Sequence, residues 1–95
     1  MTIHKLERMP YAQAHVAIDE NSNIFLISYT TEVISITAEG WLVCYGTYSQ
    51  TTRKHIGAFM KEYTPFDYFT AKDAYNKGYA VNINTGEIVY FAEEE

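Results

Sequence analysis

Residues 41–63, WLVCYGTYSQTTRKHIGAFMKEY, hold the change of hydrophobic period on which the fold turns. The first five, Trp41-Leu42-Val43-Cys44-Tyr45, are all apolar or aromatic and suit a pleated surface. Gly46-Thr47-Tyr48 breaks that run, and a helical period follows. Ser49 can accept a bond from a free first-turn N–H, so it predicts the helix start. Beyond it, Thr52, Ile56, Phe59 and Tyr63 recur at spacings of four, three and four, with Met60 beside them. That spacing makes one apolar stripe along a helix. Pro65 ends it.

Upstream, Ala38-Glu39-Gly40 reads as a short hairpin loop with a final Gly. Residues 24–37 are dense in Ile, Val, Tyr, Phe and Thr, and the run is too long for one ordinary strand. It predicts a bend or bulge near Tyr29-Thr30-Thr31. Residues 14–18 (AHVAI) read as a short strand closed by the turn-rich DENSN of residues 19–23. These elements form a three- or four-stranded antiparallel meander. Residues 1–13, interrupted by Pro10, read as a loosely ordered or edge segment.

Downstream, Thr70-Ala71-Lys72-Asp73 has the form of a capping box with Asp in place of Glu, and Gly78 suits a left-handed helix end. Residues 79–83 and 87–91 then flank the turn Asn84-Thr85-Gly86 as a closing hairpin. The predicted order is β-β-β-α-α-β-β: an α+β fold with an antiparallel β-meander, two helices and a C-terminal β-hairpin. Both helices pack on one sheet face. The 95 residues make one small domain, 1–95, with an acidic frayed tail at 92–95.

Composition narrows the function classes. Hydrophobic residues are 47% and charged residues 20%, which a globular chain can fold and a disordered one lacks. No apolar run reaches the ~18 residues of a membrane span, and no signal-peptide pattern opens the chain. The single Cys44 excludes a disulfide framework, and a reducing cytoplasm is the expected compartment. The net charge is −5; setting aside Glu93, Glu94 and Glu95 leaves seven basic against nine acidic residues, or −2. A near-neutral body without a basic stripe argues against binding duplex nucleic acid.

The densest polar cluster is YSQTTRKH, residues 48–55, at the strand-to-helix junction. Helix N-termini offer free N–H groups and partial positive charge, so Tyr48, Ser49, Thr51, Thr52, Arg53 and His55 are the candidate anion-binding set. The plainer reading is that Ser49 caps, Thr51 and Thr52 fill the first turn, and the cations are solvated. The stretch lacks the Gly-rich loop of a phosphate cradle. His55 falls at the border of the apolar stripe, where a histidine is more often hydrogen-bonded at a core edge than catalytic. Three scattered histidines, without ligand spacing or a partner Cys, offer no metal site, and Cys44 reads as a buried inert thiol. No residue is assigned a catalytic role and no cofactor is expected. Tyr63, Tyr68, Tyr75, Tyr79 and Tyr90, with Phe66 and Phe69, crowd the C-terminal half as core plus interface material.

The run Ile27-Ser28-Tyr29-x-Thr31-x-Val33, followed after a hairpin by Tyr48-Ser49-x-Thr51-Thr52-x-x-His55-x-x-x-Phe59, resembles a family of short uncharacterised phage and prophage proteins. In that family a SYxTxV strand precedes a YSxTTxxHxxxF helix start. The resemblance covers roughly residues 27–60 and implies a virus-encoded protein of the bacterial cytoplasm, with no activity attached. The expected function is therefore a non-enzymatic phage accessory protein that binds a host protein, with inhibition of a host or defence component as one such role, and forms a homodimer through exposed sheet edges. The alternative is a pocket for a nucleotide or other phosphorylated small molecule around Tyr48–His55.

Overall fold

The computed structural model describes residues 1–46 and 49–91. Five strands come first: β1 (Thr2–Lys5), β2 (Ala14–Ile18), β3 (Ile24–Ser28), β4 (Thr31–Ile36) and β5 (Trp41–Cys44). Their connections are shorter than the dozen or so residues a parallel crossover needs, so each strand pairs antiparallel with the one before. Helices α1 (Gln50–Tyr63) and α2 (Tyr68–Lys77) follow, and then β6 (Tyr79–Asn82) and β7 (Ile88–Tyr90) complete one seven-stranded sheet in sequential order. The fold is α+β, as expected. Neither helix is long and apolar enough to cross a membrane.

Five strands rather than three precede the helices, for two reasons. The N-terminal segment supplies an edge strand, fully exposed, whose Ile3 pairs with Ala17. The long run at 24–37 is split by Tyr29-Thr30, a two-residue connection between the paired Ser28 and Thr31. Tyr29 takes φ +58°, a left-handed conformation that a bulky side chain adopts only under constraint. Its N–H donates to the Gln13 carbonyl at 2.6 Å, which holds the turn against β2. The register shifts between Leu26 and Ile27, so Val33 is the extra residue of a bulge and both Val33 and Ile34 are fully buried.

Alternation along the strands sorts the side chains onto two unlike faces. Val16, Leu26, Ile34 and Cys44 stand in one paired row, and Ile36, Leu42 and Val81 in the next. Onto these rows pack Ile56, Phe59 and Met60 of α1 and Ala71 and Ala74 of α2, all in the same buried cluster. Burying each large side chain there contributes roughly 1.5–3 kcal/mol. The alternate positions Ala17 and Ala80, though buried, lie outside that cluster, as do Phe25, Val43 and Trp41. They belong to the opposite face, on which no described element packs.

Capping explains where the helices begin and end. Ser49 caps α1 as expected, its side chain accepting from the Thr52 N–H. The start of α2 is corrected from the Thr70 box to Asp67, whose carboxylate accepts from the N–H groups of Phe69 and Thr70. Asp67 is the first side-chain acceptor after Pro65, so the chain turns helical one turn sooner. Gly78 closes α2 at φ +76°. The tyrosines expected as core plus interface material divide between the two. Tyr63 and Tyr68 pack on the core and Tyr79 is buried, donating its hydroxyl to Asp73, while Tyr75 and Tyr90 are half-exposed. The acidic tail, 92–95, lies outside the described residues.

Two glycines respond oppositely to a methyl group. Gly40 sits at φ +99°, and a Cβ there would stand 2.5 Å from Asn84 Nδ2. Gly40→Ala is therefore expected to destabilise by about 1–3 kcal/mol in urea unfolding. Gly57 lies inside α1, where a Cβ would meet Tyr68 Cβ at an ordinary 3.9 Å. Gly57→Ala should stabilise by roughly 0.5–1 kcal/mol in the same assay, because it removes backbone entropy from the unfolded chain.

Candidate functional site

The hydroxyl-rich start of α1 folds inward onto β3. Ser49 Oγ donates to Thr52 Oγ1 at 3.3 Å, Thr52 Oγ1 lies 3.0 Å from Ser28 Oγ, and Ser28 Oγ lies 2.8 Å from His55 Nδ1. Each hydroxyl has one proton to give. Ser49 gives its proton to Thr52; either hydroxyl of the Thr52–Ser28 pair can donate, and Ser28 donates to Nδ1 or accepts from it according to which ring nitrogen carries the proton. Ser28 and Thr52 are buried and His55 is 1% exposed. The Tyr29 ring packs beside His55 at 5.8 Å between centroids.

The five candidate residues that the structure describes therefore do not converge. Thr52 and His55 point into the protein, while Ser49, Thr51 and Arg53 are exposed. Tyr48 lies outside the described residues. The Ser28–His55 contact has the composition of a nucleophile and its base. Ser28, however, is 2% exposed, and among the described residues no carboxylate bonds to the ring. Its chemical capacity is to tie α1 to β3, filling the polar needs of a buried junction. Ser28 was absent from the candidate set, because its partner lies 27 residues further along.

Other titratable groups are equally placed by packing. Cys44 is buried, its thiol donates to the Gly46 carbonyl at 3.5 Å, and burial pushes its pKa up, away from the reactive thiolate. Burial, with the Asp73 carboxylate beside it, pushes Tyr79 up to about 12. His15 stands on the face opposite His55, between the inward Ala14 and Val16.

An open cleft of about 530 Å³ lies elsewhere, at the α1–α2 connection, lined by Arg8, Lys61, Thr64, Pro65, Phe66, Asp67 and Thr70. Its two cations come from distant parts of the chain, joined where the Glu7 N–H donates to Glu62 Oε1 at 2.9 Å. No local motif marks it. The free N–H groups of α2 that would receive an anion there are already taken by Asp67.

Burial lowers the His55 pKa below its ordinary 6.5. At pH values below that, the unfolded chain binds a proton that the native state refuses, so stability falls as pH drops. Equilibrium unfolding should give a constant stability above about pH 7 and a decline below 6.5 that His55→Gln reduces. Ser28→Ala, which strands both neighbours, should cost about 1–3 kcal/mol at neutral pH.

No curated protein and no solved structure matches this chain. The family model that matches covers residues 4–77, from β1 through the end of α2, and takes in the whole Ser28–Thr52–His55 network. The chain belongs to DUF8033, a family of unknown function.

Proposed function

We propose that this chain is a non-catalytic accessory protein that acts by binding another protein, with the β7 edge as its contact surface. The observation that carries this reading is the exposure of apolar side chains along that edge. Ile88, Tyr90 and Phe91 are each about half-exposed, Tyr90 at 57%, and Tyr75 of α2 is similarly open. Among the described strands β7 pairs with β6 alone, so its other side offers free backbone N–H and C=O groups. An extended segment of a partner can add to such an edge through main-chain bonds, with the aromatics supplying side-chain contacts.

The likeness of residues 27–60 to phage and prophage proteins supports a bacterial host protein as that partner, met in the cytoplasm. The inward aim of Thr52 and His55 counts against a nucleotide pocket at the helix start.

The test is affinity capture from bacterial lysate with the tagged protein, read by mass spectrometry, alongside the Tyr90→Ala/Phe91→Ala double variant and Arg53→Ala. One stoichiometric host protein, retained by Arg53→Ala and lost by the double variant, is the expected result. A bound nucleotide that Arg53→Ala releases, with no protein partner, would overturn the proposal.

A further inference from the structure

We infer that the open face of the sheet is covered by a second copy of this chain, packed face to face so that each copy's helices lie outward. This inference stands apart from the β7 edge, since it concerns the side-chain face of the sheet and not its rim.

The starting point is chemical. Ile3, Ala17, Phe25, Ser35 and Val43 form one paired row across β1–β5, and Ala80 with Val89 carries it over β6 and β7. That row contains no charged side chain. Ile27 and Trp41 flank it on the same face, both only partly buried. Solvated antiparallel sheet faces ordinarily alternate to polar residues, and along this central row the face does not.

Three polar side chains near the middle of the face are bonded from within. Ser35 Oγ and the Tyr45 hydroxyl lie 2.8 Å apart. Asn82 donates to the Glu39 carbonyl and accepts from the N–H groups of Asn84 and Thr85. Covering them leaves one hydroxyl proton of the Ser35–Tyr45 pair and one Asn82 amide proton to be met across the interface, a small part of the usual penalty for burying a sheet face.

Self-association follows from charge and size. In a two-fold interface each patch meets itself, so a charged patch repels its copy and an uncharged one does not. Lys5, His15 and Glu32, with Ile27 between the last two, form the neighbouring row across β1–β4 at one end of the strands, where an interface tolerates a polar rim. Seven strands ~4.8 Å apart and about five residues long give a face of roughly 500 Å². Two such faces bury roughly 1,000 Å², the threshold of a specific interface. Sheets packed this way sit ~10 Å apart with strands about 30° from aligned.

Trp41 is the chain's single tryptophan and reports on this face. Sedimentation equilibrium and Trp41 emission would be followed through one dilution series of the wild-type protein, with Val43→Glu and Tyr90→Ala in parallel. The expected result is twice the 10.9 kDa chain mass at high concentration, with a red shift of Trp41 emission that tracks dissociation. Val43→Glu should weaken the dimer at least tenfold, and Tyr90→Ala should leave it unchanged. A monomer at every concentration, or a dimer whose dissociation leaves the Trp41 emission unmoved, would overturn the inference. Should Val43→Glu lose its circular dichroism signature, the wild-type emission alone decides. Loss of the host partner in the Tyr90→Ala/Phe91→Ala variant with the dimer intact separates this inference from the β7 reading.

Discussion

The seating of α1 on β3 is the constraint from which the remaining architecture follows. An apolar stripe alone allows a helix to slide along a sheet, since one Ile or Phe is much like the next. The Ser28–Thr52–His55 chain does not permit sliding, because a shift by one turn leaves buried hydroxyls and a ring nitrogen without partners. With α1 fixed there, Ile56, Phe59 and Met60 fall over the central rows of the sheet. Asp67 then starts α2 within a few residues, and its two alanines pack on the same cluster.

Strain and polarity accumulate at that same junction. Tyr29 is held left-handed immediately after Ser28, between a short bond to Gln13 and the His55 ring. Such conformations persist where the surroundings over-determine them. Here the surroundings are β2 on one side and α1 on the other. The buried polar chain is thus a device for specifying one arrangement, and its hydroxyls are all engaged in doing so.

Covering one face of a seven-stranded sheet with two short helices leaves, among the described residues, the other face and both edges open. The edges differ in kind. β1 offers Thr2, His4 and Lys5, whose polar and charged side chains discourage pairing, whereas β7 offers Ile88 and Tyr90. The open face differs again, having an uncharged central row with a polar row at one end of its strands. Its proposed cover and the proposed edge contact occupy separate surfaces, so a face-to-face dimer would present two β7 edges at once.

The local chemistry of the chain was enough to determine the element types and most of their boundaries. The switch of period at Gly46, the cap at Ser49, the stop at Pro65 and the glycine at Gly78 each act within one turn of backbone, so sequence neighbours carry the information. The division of residues 24–37 was visible as excess length, but two strands with an added bulge emerged only from pairing. The inertness of Cys44 and the core-edge place of His55 were legible for the same local reasons. The helical period already turned Thr52 inward and put His55 at the stripe's border; tertiary structure alone decided what meets them there, since Ser28 arrives from another strand. It also decided which of two apolar faces the helices would take. Both faces carry β-forming residues, and only packing distinguishes a row that meets α1 from one that meets no other described element.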